Sequence, residues 1–205
     1  MSPRPQLPPE EIAARRAAIL ASAIDRIAES GLESVRIKDV AAGAEVSVGS
    51  VQYYFATRED LLVAALSAHS RSVVEAIAAL AHAQGSAWER LRETFRAVPA
   101  VGSHERRSVI WVELVVAARR SAYLRTTVAE VFAHWRDHLT GLIVAGIDDG
   151  SLTPRLNVET IVDTLIAQID GFDLALASGR VDLDPGRVAA SLEATAAALL
   201  GVRAH

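Results

Sequence analysis

A chain of 205 residues, 51% hydrophobic and 22% charged, can bury a sizeable core, which excludes wholesale disorder. It contains no Cys, so disulfide scaffolds, thiolate zinc sites and cysteine nucleophiles are excluded, and a reducing compartment fits. The net charge is −4, and residues 1–60 carry seven basic against nine acidic groups, so bulk charge does not announce a nucleic-acid binder.

Residues 1–9 read as a flexible, Pro-rich arm. They have no apolar h-region, and no signal peptide is expected. A first helix is expected over about Glu10–Ser30, opened by Pro8, Pro9, Glu10 and Glu11 and stopped by Gly31. Ile12, Ile19, Leu20, Ala23, Ile24 and Ile27 form its apolar face. A short helix over Arg36–Ala44 is followed by another capped by Ser47 and containing Val51 and Phe55. Thr57-Arg58-Glu59-Asp60 resembles a capping box and opens a helix to about Gln84. Further helices are expected over about Ala87–Val98, stopped by Pro99, then His104–Arg119 and Ser121–Asp149. Asn157 caps the next, to about Ser178, and Asp184-Pro185 starts the last, to about Val202. The fold class is all-α, with about nine helices. The longest apolar stretches, such as Leu139–Ile147, fall far short of the ~18 residues of a membrane span, so a cytoplasmic protein is expected.

The stretch RIKDVAAGAEVSVGSVQYYFATR, Arg36 to Arg58, holds two helices of under ten residues joined by a tight turn, the helix-turn-helix geometry. Such helices are unstable alone, and Val40, Val46, Val51 and Phe55 would pack them onto their neighbours. Ser47, Val48, Gly49, Ser50, Gln52, Tyr53 and Tyr54 remain on the outside. They are small, polar or aromatic, with no acid among them, although the chain as a whole is acidic.

From Ile19 to Leu62 the chain resembles the tetracycline-repressor (TetR) family of transcriptional regulators. The matching residues are Gly31, Asp39-Val40-Ala41, Val46-Ser47, Gly49-Ser50-Val51, Tyr54-Phe55, Thr57-Arg58-Glu59 and Leu61-Leu62. The later helices are similar in layout to the BetI-like branch. The resemblance implies a DNA-binding head over residues 10–56 and a ligand-binding and dimerisation body over 57–205. It implies that Ser47–Tyr54 enter the major groove, and that Arg36, Tyr54, Thr57 and Arg58 face phosphates. Three positions depart from the pattern. Val48 stands where a basic residue is usual. Gln52 replaces a common aromatic and can pair bidentately with adenine. Glu45 stands where the turn usually has glycine, with Gly43 expected to absorb the strain.

Arg4 reads as part of a floppy tail ahead of a minor-groove contact. His134 and His138, four apart, read as a polar patch ahead of a metal pair. Glu113 is either a paired or solvated glutamate or a ligand anchor. Asp170 and Asp173 read as capping or inter-subunit groups. The resemblance implies an apolar cavity, for which Phe95, Trp111, Glu113, Tyr123, Phe132 and Trp135 are the candidate walls. Val158, Ile161, Val162, Leu165, Ile169, Val188, Leu192 and Leu199 form apolar stripes expected to join two copies in a four-helix bundle.

The expected function is a DNA-binding transcriptional regulator: a homodimeric repressor released from a double-stranded DNA operator by an apolar or amphipathic small molecule. No cofactor, catalytic set or metal cluster is implied. The alternative is an all-α homodimeric interaction or ligand-binding protein that has lost DNA binding.

Overall fold

The computed structural model describes residues 8–80, 84–100, 104–180 and 182–202; Arg4 and most of the Pro-rich arm lie outside them. Among the described residues there are nine α-helices and no strand. They are α1 (Pro9–Ser30), α2 (Ile37–Gly43), α3 (Val48–Tyr54), α4 (Arg58–Leu80), α5 (Ala87–Ala100), α6 (His104–Ala118), α7 (Ala122–Asp148), α8 (Val158–Ala177) and α9 (Pro185–Leu200). A 3₁₀ turn, Leu32–Ser34, links α1 to α2. No described helix is long and apolar enough to cross a membrane. The chain divides into two compact units, Met1–His69 and Ser70–His205.

The first unit is built around the apolar face of α1. Ile19, Ala23 and Ile27 are fully buried there, together with Val40 from α2, Val51 from α3, and Leu61, Ala65 and Leu66 from α4. The α4 residues explain why this unit runs to His69, past the boundary at 56 expected from the sequence. Two short helices gain their order from this burial, at about 1.5–3 kcal/mol per large side chain. Ser22 on α1 donates from Oγ to the Val40 carbonyl at 3.0 Å, a buried bond tying α1 to α2. Gly43 is needed at the same place: a Cβ there would lie 2.4 Å from Ser22 Oγ.

Gly43 does not absorb the strain of the following turn. Glu45 itself takes the left-handed conformation, at φ 54°. The turn is held by Val46 N–H donating to the Ala41 carbonyl at 3.0 Å, which leaves Glu45 little freedom to relax. Glu45→Gly is therefore expected to raise stability by about 1 kcal/mol, read by thermal melting of the full chain. An unchanged or lowered melting temperature would mean that the turn carries no such strain.

An apolar core of the second unit joins α5, α7, α8 and α9. Leu91, Phe95 and Val98 of α5 meet Leu139, Leu142 and Ile143 of α7, with α8 and α9 closing it. Pro99 does not stop α5, which continues to Ala100. A proline in the last turn removes a single hydrogen bond near an end that frays in any case.

The α8 and α9 stripes expected at a subunit interface face inward instead. Ile161, Val162, Leu165, Val188 and Leu192 are fully buried within one chain, Ile169 nearly so, and Val158 and Leu199 pack against the same cluster. The face of α8 left outside reads Thr160, Thr164, Ala167, Gly171, Leu174 and Ser178, at spacings of four and three. On α9 it reads Arg187, Ala190, Ala194 and Ala198.

Candidate nucleic-acid interface and body site

α3 is a seven-residue helix fixed at both ends. At its start Ser47 Oγ accepts the Ser50 N–H at 3.0 Å and shares a 2.9 Å hydrogen bond with Ser50 Oγ. At its end Phe55 is buried, and the Arg16 guanidinium lies 5.4 Å from its ring centre. Thr57 and Asp60 then exchange hydrogen bonds, Asp60 N–H to Thr57 Oγ1 at 3.0 Å and Thr57 N–H to Asp60 Oδ2 at 3.1 Å. This reciprocal box fixes where α4 begins.

Of the ten residues expected at DNA, Arg36 at the start of α2, and Val48, Gly49, Gln52 and Tyr53 on α3, are exposed. Tyr53 is 80% exposed and meets Tyr54 edge-on, with ring centres 5.2 Å apart. Tyr54 is half-buried. Ser47 and Thr57 are engaged as helix caps, and Ser50 is bonded to Ser47. Arg58 is committed elsewhere: Nε donates to the Val35 carbonyl at 2.7 Å, and Nη2 to the carbonyls of Leu32 at 2.5 Å and Glu33 at 3.0 Å. The guanidinium thus closes the 3₁₀ turn onto the start of α4. Nothing in the local sequence signals this contact, because its partners lie more than twenty residues away.

In the body the six candidate pocket residues fall into different surroundings. Phe95 is fully buried in the core, and Tyr123 is 58% exposed. Trp111 and Phe132 meet edge-on at 5.5 Å, and Trp135 lies edge-on to His138 at 6.4 Å. Glu113 is half-buried on α6. A cleft of about 1040 Å³ opens among α5, α9 and the α7–α8 turn, walled by Trp88, Arg92, Ser151, Glu193 and Ala194.

The polar residues missed as a group are on α6 and α8. Trp111 Nε1 donates to Asp170 Oδ1 at 3.1 Å, and one turn on Ser108 Oγ donates to Asp173 Oδ1 at 2.6 Å. Arg107 reaches the same Asp173 oxygen and also the Val98 carbonyl. The two aspartates therefore bind within the chain, and neither caps a helix. Their spacing of three, matched by Ser108 and Trp111 at the same spacing, is the sequence signal that could have paired them. His134 Nδ1–H donates to the Glu130 carbonyl at 2.7 Å while His138 pairs with Thr94 Oγ1 at 2.9 Å, so the two imidazoles do not converge. Among the described residues no group of three or more His, Cys, Asp or Glu is gathered for a metal ion.

Burial pushes the Asp170 carboxyl up to about 6, opposed by the Trp111 hydrogen bond and aided by the charge of Asp173. Burial, with the nearby Arg90, lowers His138. For Asp170 the folded-state value lies above the unfolded one. Its contribution to stability is complete below about pH 4 and is lost as the pH rises through 6. His138 acts in the opposite sense and is common to both proteins in the following comparison. Asp170→Asn is expected to melt above the parent chain at pH 7.5, with the gap shrinking toward pH 5. A gap independent of pH would contradict the burial of an ionised Asp170.

Residues 19–65 match the family model of bacterial regulatory proteins, tetR family. Residues 87–201 match that of the BetI-type transcriptional repressor, C-terminal. The HTH-type transcriptional repressor KstR2 of Mycobacterium tuberculosis is 26% identical over 162 residues, 74% of this chain and 76% of that protein. A transcriptional regulator of Saccharomonospora viridis, crystallised with choline, superposes with a TM-score of 0.80 at 22% identity, covering 89% of this chain and 95% of the other. The regulator FadR of Bacillus subtilis, crystallised with stearoyl-CoA, gives a TM-score of 0.72 at 19% identity, covering 91% and 99%.

Proposed function

Because the chain belongs to the tetR family of bacterial regulatory proteins and carries a BetI-type repressor body, we propose that it represses transcription as a homodimer that a small molecule releases from its operator. The observation that carries this reading is α3: a helix too short to stand alone, pinned at both ends, with an outward face free of acids. Arg36 and Tyr53 are the proposed phosphate contacts. Val48, Gly49 and Gln52 are the proposed groove-facing residues.

The proposed subunit contact is the outward face of α8 and α9. Ala167 and Gly171 on α8, and Ala190, Ala194 and Ala198 on α9, are exposed, and small residues let helices approach closely. A Cβ at Gly171 would meet nothing within 4 Å in one chain, so there is room for a partner helix.

The same fold holds choline in one neighbour and stearoyl-CoA in another, which supports an effector bound in the body. The proposed effector is amphipathic, with an apolar part against Trp111 and Phe132 and a cationic or hydrogen-bond-donating group at Asp170. Asp170 is proposed for the role considered for Glu113, because it faces Trp111 at 3.1 Å and burial raises its carboxyl.

The test uses the full chain and a duplex selected from a random library. Amphipathic amines and acyl compounds are screened by thermal shift, and each hit is titrated into the protein–duplex complex. An effector that prefers the DNA-incompetent state by ~100-fold, about 2.7 kcal/mol, is expected to weaken duplex binding by the same factor. Hits that stabilise the protein and leave duplex affinity unchanged would refute the coupling. Failure to select any duplex would refute the regulator reading itself.

A further inference from the structure

We propose that α3 reads A·T base pairs and makes no guanine contact, with Val48 packed on a thymine 5-methyl group and Gln52 paired with an adenine. This rests on the DNA-binding reading above and specifies what the helix recognises. Guanine is most often read by Arg or Lys at its O6 and N7. The sequence of α3, VGSVQYY, contains neither, and its chain neighbour Arg58 is held by three carbonyls. The two serine hydroxyls at the start of the helix are bonded to each other and to the cap. Val51 is fully buried. With Tyr53 assigned to a phosphate, the groove-facing chemistry that remains is one aliphatic group and one carboxamide.

Val48 is the informative residue. It is 42% exposed at the first position of the helix and takes no part in the head's core. A β-branched side chain there does not favour the helix, and in water its apolar surface brings nothing. In the major groove the apolar partner available to it is the thymine methyl. Gln52 lies four residues on, on the same face and about 6 Å along the axis, close to two base-pair steps of ~3.4 Å. Gly49 between them is not required by the fold. No left-handed φ is present there, and a Cβ would meet only Ser47 Oγ at 3.8 Å. Its bare backbone lets α3 come close enough for a short valine side chain to reach a base edge.

The test starts from the duplex selected with the full-length chain and replaces its thymines by deoxyuridine one at a time, which removes the methyl group and keeps the pairing. The wild type is expected to lose about threefold to fivefold in affinity at one thymine in each half-site, the worth of one buried methyl. Val48→Ala is expected to bind the parent duplex more weakly by a similar factor and to be indifferent to deoxyuridine at that thymine. Gln52→Ala keeps the deoxyuridine effect and loses its preference for an adenine about two base pairs away. Equal binding of thymine and deoxyuridine duplexes at every position by the wild type would overturn the proposal. So would a G·C preference that disappears in Val48→Ala or Gln52→Ala. If no duplex is enriched at all, the DNA-binding reading fails, and this inference with it.

Discussion

Arg58→Ala is expected to destabilise the head by about 2–4 kcal/mol and to weaken duplex binding with little change in its salt dependence. The side chain makes three hydrogen bonds from a charged donor to main-chain carbonyls in a partly buried setting. A single bond of this kind contributes about 1.5–3 kcal/mol, and three sharing one guanidinium are far from additive, so the whole is set at about 2–4 kcal/mol. A side chain acting only on a phosphate would behave differently. Its removal would leave the melt unchanged and lower the salt slope by about 1. Arg58→Lys separates the two roles further. Lysine keeps the charge but has no planar fork to span the carbonyls of Leu32, Glu33 and Val35, so it should melt with the alanine variant. A lysine variant that melts like the wild type, together with a lowered salt slope for alanine, would return Arg58 to the DNA surface.

Leu165→Glu and Leu192→Glu are each expected to abolish the folded body. Both leucines are fully buried in the core formed by α5, α7, α8 and α9. Each change loses about 1.5–3 kcal/mol of apolar burial and places a carboxylate where it has no water or partner. The combined cost exceeds about 5 kcal/mol, comparable to the total stability of a domain. Changes on the opposite face should act on assembly alone. Leu174 is 61% exposed and Ala194 is exposed, so Leu174→Glu combined with Ala194→Glu is expected to give a folded monomer. The wild type should sediment at twice the 21.8 kDa mass of the chain. Sedimentation and far-UV circular dichroism distinguish the outcomes. A folded, monomeric Leu165→Glu protein would place the interface on the face now assigned to the core.

Helix positions and types were legible in the sequence because their determinants are local. Ser47, Ser121, Asn157 and Asp184 each cap the helix that follows them, and the all-α class follows from periodicities a few residues long. The head's framework was legible for the same reason. Side-chain destinations were not. An apolar stripe on α8 looks the same whether it meets α7 of its own chain or a second copy, because periodicity reports that a face is buried and not by what. Arg58 and Asp170 show the same limit for polar groups. Arg58 reads as a surface cation until the 3₁₀ turn is folded beside it, and Asp170 reads as an interruption of an apolar helix until Trp111 of α6 lies against it. Local sequence decides which helices form. Only the packing of distant segments decides which charges remain for a ligand and which are used to hold the protein together.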